Sequence, residues 1–293
     1  MHQYLRAIGF SNFESKKELQ KLITDIVVEG KERAYTTLKE DTLIASFSQE
    51  FAPGIGITVC GDFEEEDKFT YEYYFPFLRG NNVTTKEDVT VERHSATESY
   101  AGVCDDVRIG VSLIFYLQNM IPYIKAKNTE LLPIRGTSVN LSALSLGGTI
   151  MLPLLKTQKD LIKSQKSTNN RTELINAARM GDEEAMENLT LDDIDTYSSI
   201  SKKIQKEDIF SLVDTTFMPY GIECDHYSIL GEILEYSYVK NRLTDEGLCI
   251  MTVSCNDLVF DVCINKADLY GEPDVGRRFK GSIWMQGYIN FPE

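Results

Sequence analysis

The densest group of reactive side chains is the stretch "ECDHY", Glu223 to Tyr227. His226 at this spacing could serve as a base beside Cys224, or the pair could begin a zinc site. Each chemistry needs partners that the stretch does not carry. Zinc takes four ligands, and a nucleophilic thiol needs a base oriented by a third group together with an oxyanion site. Cys224 and His226 are therefore the catalytic candidates, with a structural role at a strand start as the alternative.

Other motifs offer less. The chain has three histidines: His94 alternates with Glu92 on an expected strand and suits a cross-strand pair, and His2 sits at the terminus. Six cysteines (Cys60, Cys104, Cys224, Cys249, Cys255, Cys263) are scattered with no C-x-x-C, as expected of buried thiols in a reducing cytoplasm. Gly54, Gly56 and Gly61 in "PGIGITVCG" are followed by β-branched residues and an acidic turn, so they read as hairpin bends rather than a phosphate loop. The acidic runs at 64–67, 182–187 and 192–195 lack the calcium-loop pattern and suit solvated turns and helix N-termini. No metal and no cofactor is expected.

A different pattern lies in "RRFKGSIWMQGYINF", residues 277–291. Odd positions from Phe279 to Phe291 are apolar with gaps at Gly281 and Gly287. Even positions include Trp284, Gln286, Tyr288 and Asn290, so the only tryptophan stands among polar groups. An amphipathic aromatic face of this kind suits a binding surface. The alternative is that a helix from 172–205 covers it and buries Trp284.

The elements that position these residues are legible from periodicity. "SKKELQKLITDIVVEG" is an amphipathic helix capped by Ser15 and Glu18. Short β-rich runs then follow up to residue 117, and a hairpin is expected at Gly147–Gly148. "KTQKDLIKSQKSTNN" is a polar linker, residues 172–204 are helical, and the remainder returns to strands. The expected class is α+β: an N-terminal antiparallel sheet with a packed helix (1–156), a linker (157–171), and a short helical segment with a small antiparallel β domain (172–293). Gly231, Gly281 and Gly287 suit either an OB-like barrel or an ordinary curved sheet.

The 293 residues carry a formal net charge of −15, which repels phosphate backbones and anionic bilayers. From Pro219 onward six basic residues face twelve acidic ones. Nucleic acid is thus an unfavoured partner, even though Trp284 and Tyr288 could stack bases with Arg277, Arg278 and Lys280 nearby. No apolar run is long enough to span a membrane as a helix, and the N-terminus lacks a secretory pattern, so a cytoplasmic protein is expected.

"LINAARMGDEEAMENLTLDDIDTYSSI", "DIFSLVDTTFMPYGIECDHYSILGEI", "GEPDVGRRFKGSIWMQGYINF" and the opening "YLRAIGFS" resemble a family of clostridial and related Gram-positive bacterial proteins described only as a domain of unknown function. The resemblance runs the length of the chain and implies an intracellular bacterial origin, but brings no activity and no site residues. The first expectation is a non-enzymatic binding or regulatory protein that presents the Trp284 face to a protein or small molecule. The second is an enzyme at Cys224 and His226.

Overall fold

The computed structural model describes residues 2–13, 15–39, 42–63, 68–94, 99–106, 108, 112–128, 137–154, 173–175, 177–178, 180–191, 194 and 213–291. A 3-10 turn at Gln3–Ile8 precedes helix α1 (Lys16–Glu29) and strands β1 (Glu32–Lys39), β2 (Thr42–Ala52), β3 (Ile55–Phe63) and β4 (Phe69–Leu78). Strands β5 (Val89–His94), β6 (Ser99–Cys104) and β7 (Leu113–Leu117) lead to helix α2 (Met120–Asn128) and the long strand β8 (Ser138–Met151). The linker 157–171 lies outside the described residues. Beyond it come β9 (Thr216–Pro219), β10 (His226–Lys240), β11 (Gly247–Cys255), β12 (Leu258–Asn265), β13 (Leu269–Tyr270) and β14 (Arg278–Asn290).

The protein is mostly β within an α+β class. Strands β1 to β4 form an antiparallel meander, and α1 turns Leu22, Ile23 and Ile26 into the core behind its Ser15 cap. In the second sheet β8, β12, β11, β10 and β14 follow one another, and a further β8–β14 pairing closes them into a five-stranded barrel. β10 is long enough to serve two barrel neighbours, pairing with β14 through its first half and with β11 through its second, while β9 pairs with its first half as well. Asn256 and Asp257 both take positive φ in the two-residue turn between β11 and β12, the geometry that matches strand twist in a tight hairpin.

One expectation is corrected. Gly147 and Gly148 lie inside the continuous strand β8, not in a hairpin. A Cβ on Gly148 would stand 2.2 Å from the Phe279 ring, so the glycine makes room for that ring. Strands from either side of residues 157–171 pair with each other: β8 runs parallel to β12 and antiparallel to β14, and β7 runs parallel to β14. The two halves therefore share one barrel and one core. A protease site inserted between residues 157 and 171 should, once cut, give two fragments that co-elute on gel filtration and part only in denaturant. Fragments that separate on cutting would contradict the shared barrel.

Helix α2 is an addition to the elements expected from the sequence. Pro122 falls in its first turn, where the missing N–H leaves no intrahelical bond unmade, and Met120, Ile121, Tyr123, Ile124 and Ala126 are buried. In the middle of the chain, Asp182 accepts hydrogen bonds from the N–H groups of Glu184 and Ala185, the helix-start role expected of that acidic run. The helix expected after Thr190 lies largely outside the described residues. No helix among the described residues is long and apolar enough to cross a membrane.

Candidate functional site

His226 opens β10 directly opposite Trp284 of β14, so the two features that stand out in the sequence meet at one point. The Met285 N–H donates to the Asp225 carbonyl at 2.9 Å, which fixes the backbone just ahead of His226. The Asp225 side chain then joins the pair: Trp284 Nε1 donates to Oδ2 at 2.8 Å, and His226 Nδ1 lies 2.8 Å from Oδ1. An ionised carboxylate only accepts, so Nδ1 carries the proton, and in the neutral ring Nε2 presents a lone pair. That atom is buried and makes no hydrogen bond among the described residues. The Glu223 carboxylate comes within 3.3 Å of it, but not in a geometry that makes a hydrogen bond.

The N-terminal turn covers this corner. Tyr4 stacks on Trp284 with ring centroids 5.1 Å apart and 30° between planes, while His2 and Tyr116 approach the indole at 4.8 and 5.2 Å. Trp284 is left 4% exposed. Its place on a polar strand face now has a cause: the face is roofed by aromatic rings, and Asp225 satisfies the indole N–H that burial would otherwise leave unpaired. Among the described residues the roof is supplied by residues 2–8, while much of 172–205, the alternative cover, lies outside them. A cavity of about 300 Å³ remains, lined by His2, Tyr4, Tyr116, Glu223, His226 and Trp284 among others. Burial, helped by the Asp225 and Glu223 charges, holds the Tyr4 phenol protonated well above its ordinary range. Burial also lowers His2 to about 4, so its ring is neutral near pH 7.

The other members of the expected binding face go elsewhere. Gln286 is fully buried: its Oε1 accepts from Leu78 N–H and Gln118 Nε2, and its Nε2 donates to the Pro76 carbonyl. It ties the barrel to β4 and is out of reach of a ligand. Tyr288 and Asn290 line a separate cleft of about 540 Å³ between the barrel and the first sheet. Trp284 and His226, which stand out in the sequence for unrelated reasons, are thus brought side by side by the β10–β14 register. Sequence patterns do not single out Asp225, Tyr4 or Tyr116. Asp225 was discoverable, as the one residue between Cys224 and His226 able to orient an imidazole.

Cys224 is exposed and does not line the cavity, and the other five cysteines are buried and unpaired. Among the described residues no three His, Cys, Asp or Glu side chains converge as metal ligands would, so the zinc reading finds no further ligands for Cys224 and His226. Burial pushes Cys104 up to about 11 and Cys60, Cys249 and Cys255 up to about 12. Iodoacetamide on the native protein at pH 8 should therefore modify one thiol, Cys224, with the rest reacting only after unfolding. The same shifts have a stability consequence. Unfolded thiols ionise near pH ~8.5 while the buried ones stay protonated, so stability is full below that pH. It should fall steadily between about 8.5 and the folded values.

Together these features define a mostly β protein with a closed five-stranded barrel and, at the barrel's edge, an aromatic-walled cavity holding an oriented imidazole. The chain belongs to the family described as "Domain of unknown function, E. rectale Gene description (DUF3881)", whose model matches residues 5–287. No curated protein and no solved structure matches it.

Proposed function

We propose that the protein binds a small molecule in the Trp284–His226 cavity. One observation carries this reading: His226 Nε2 is buried without a hydrogen-bond partner among the described residues, on the wall of a cavity near the lower end of the usual size for small-molecule sites. A buried polar atom left unmatched by the protein is costly unless something else matches it. Because Trp284 is the only tryptophan, its emission reports on this site alone. A fragment library screened by that emission should give saturable hits that are lost in His226→Gln. Hits unaffected by His226→Gln, or none at all, would overturn the assignment.

A second reading is favoured by the Asp225–His226 contact. A carboxylate on Nδ1 with Nε2 directed at a ligand is the base-plus-orienting pair of general-base catalysis. The cavity wall holds Tyr4, kept protonated, and Cys224 lies outside it, so a proton-abstraction role fits better than a thiol nucleophile. Turnover of a fragment hit, abolished in Asp225→Asn, would establish it.

The barrel reads as OB-like, with five strands and a long β10 shared between two neighbours. Single-stranded nucleic acid remains the weaker partner. Arg278 is buried and donates to the carbonyls of Leu152 and Val213, and Arg277 donates to that of Glu272, so both guanidinium groups serve the fold. The unpaired cysteines support a reducing, cytoplasmic setting.

A further inference from the structure

We propose that the ligand of this cavity is a small organic cation, a protonated amine, recognised by Glu223, by His226 Nε2 and by the surrounding aromatic rings. The proposal rests on the reading of this cavity as a ligand site and adds the charge and donor character of what enters it. Four observations point the same way.

Among the described lining side chains the carboxylates are those of Glu223 and Asp225, and none is lysine or arginine. Both Asp225 oxygens receive donors, from Trp284 Nε1 and His226 Nδ1. Asp225 therefore contributes negative potential while each of its oxygens is already engaged by the protein. Glu223 is different, with its side chain 69% exposed at the rim and its Oε2 3.3 Å from His226 Nε2.

In the neutral tautomer that places the proton on Nδ1 towards Asp225, Nε2 and the Glu223 oxygen beside it form a pair of acceptors with no donor between them. An ammonium group supplies two N–H donors from one atom, and its charge matches the carboxylate. An alcohol has a single donor and no charge, and a carboxylate ligand would meet like charge. The rings of Tyr4, Tyr116 and Trp284 complete the match, because aromatic faces attract cations and do so more strongly when water is excluded. His2, neutral near pH 7, adds a fourth ring.

The test is a titration of the full chain at constant ionic strength with n-butylammonium, tetramethylammonium, 1-butanol and butyrate, read by Trp284 emission. The expected order is butylammonium tightest, tetramethylammonium weaker for want of N–H donors, and 1-butanol at least about tenfold weaker than butylammonium, with butyrate inactive. Glu223→Gln, at an exposed side chain where folding is not at risk, should weaken butylammonium roughly tenfold and leave 1-butanol unchanged. A blocked lysine, Nα-acetyl-lysine N-methylamide, separates two sources of the same group. Binding tighter than butylammonium assigns the site to a lysine side chain, and equal or weaker binding assigns it to a free amine.

The proposal is overturned if 1-butanol binds as tightly as butylammonium, or if Glu223→Gln leaves butylammonium binding intact. It also fails if none of the probes acts while neutral fragments still bind in a His226-dependent way. In that last case the ligand site stands and its cation preference does not.

Discussion

Phe115→Ala should destabilise the protein by about 3–5 kcal/mol, the range for removing a buried phenylalanine that leaves a cavity. Phe115 is fully buried on β7, and the chain is shaped around it. A Cβ on Gly102 would come within 2.2 Å of its ring, and one on Gly287 within 2.3 Å. With glycine on both sides, no neighbouring side chain can swing in to fill the void, so the cost should lie near the top of that range. The converse substitution tests the same packing: Gly287→Ala should cost about 1–3 kcal/mol by overpacking. Combined with Phe115→Leu it should cost less than the sum of the two single changes. Urea midpoints for the four proteins check both statements, and strict additivity would show that the ring and the glycine do not share the space.

Gln286→Leu should cost about 2–4 kcal/mol, although leucine is nearly the same size and the position is fully buried. The substitution removes the acceptor of Leu78 N–H and of Gln118 Nε2 and the donor to the Pro76 carbonyl. Those groups lie where β4 meets the barrel, and each would be left in the interior without its partner. Tyr288→Leu, two residues along the same strand face at a side chain 38% exposed, should change stability by less than about 0.5 kcal/mol. If the two substitutions were equivalent, Gln286 would not be the tie between barrel and sheet.

These two residues also show where the sequence was readable. The alternation of 277–291 correctly separated a core face from a polar one, and Gly281 and Gly287 were visible as gaps in the core face. What fills the gaps was not visible. Phe115 reaches Gly287 from β7, more than 160 positions earlier, and strand alternation carries no information about which distant ring lies opposite. The polar face posed the same difficulty. Trp284, Gln286, Tyr288 and Asn290 share one strand side, yet a roof at residues 2–8 and a seam at β4 divide them among a cavity, a buried tie and a separate cleft.

The barrel was half legible for a related reason. β10, β11 and β12 are joined by short turns with clear signals at Asp245 and at Asn256–Asp257, so their antiparallel order follows from sequence. β8 enters in parallel beside β12 from the far side of the linker, and a parallel closure over that distance leaves no local turn to read. The Trp284–Asp225–His226 group depends on both kinds of information. Local sequence places Asp225 next to His226, while the β10–β14 register brings Trp284 opposite His226.

A crystal structure of the protein grown with n-butylammonium would test the site most directly. The expected result is an ammonium nitrogen within hydrogen-bonding distance of His226 Nε2 and the Glu223 carboxylate, its alkyl chain against Tyr4 and Trp284, with the Asp225 contacts to both partners kept. An ordered amine in the cleft beside Tyr288 and Asn290, with the His226 cavity closed or holding only solvent, would contradict it.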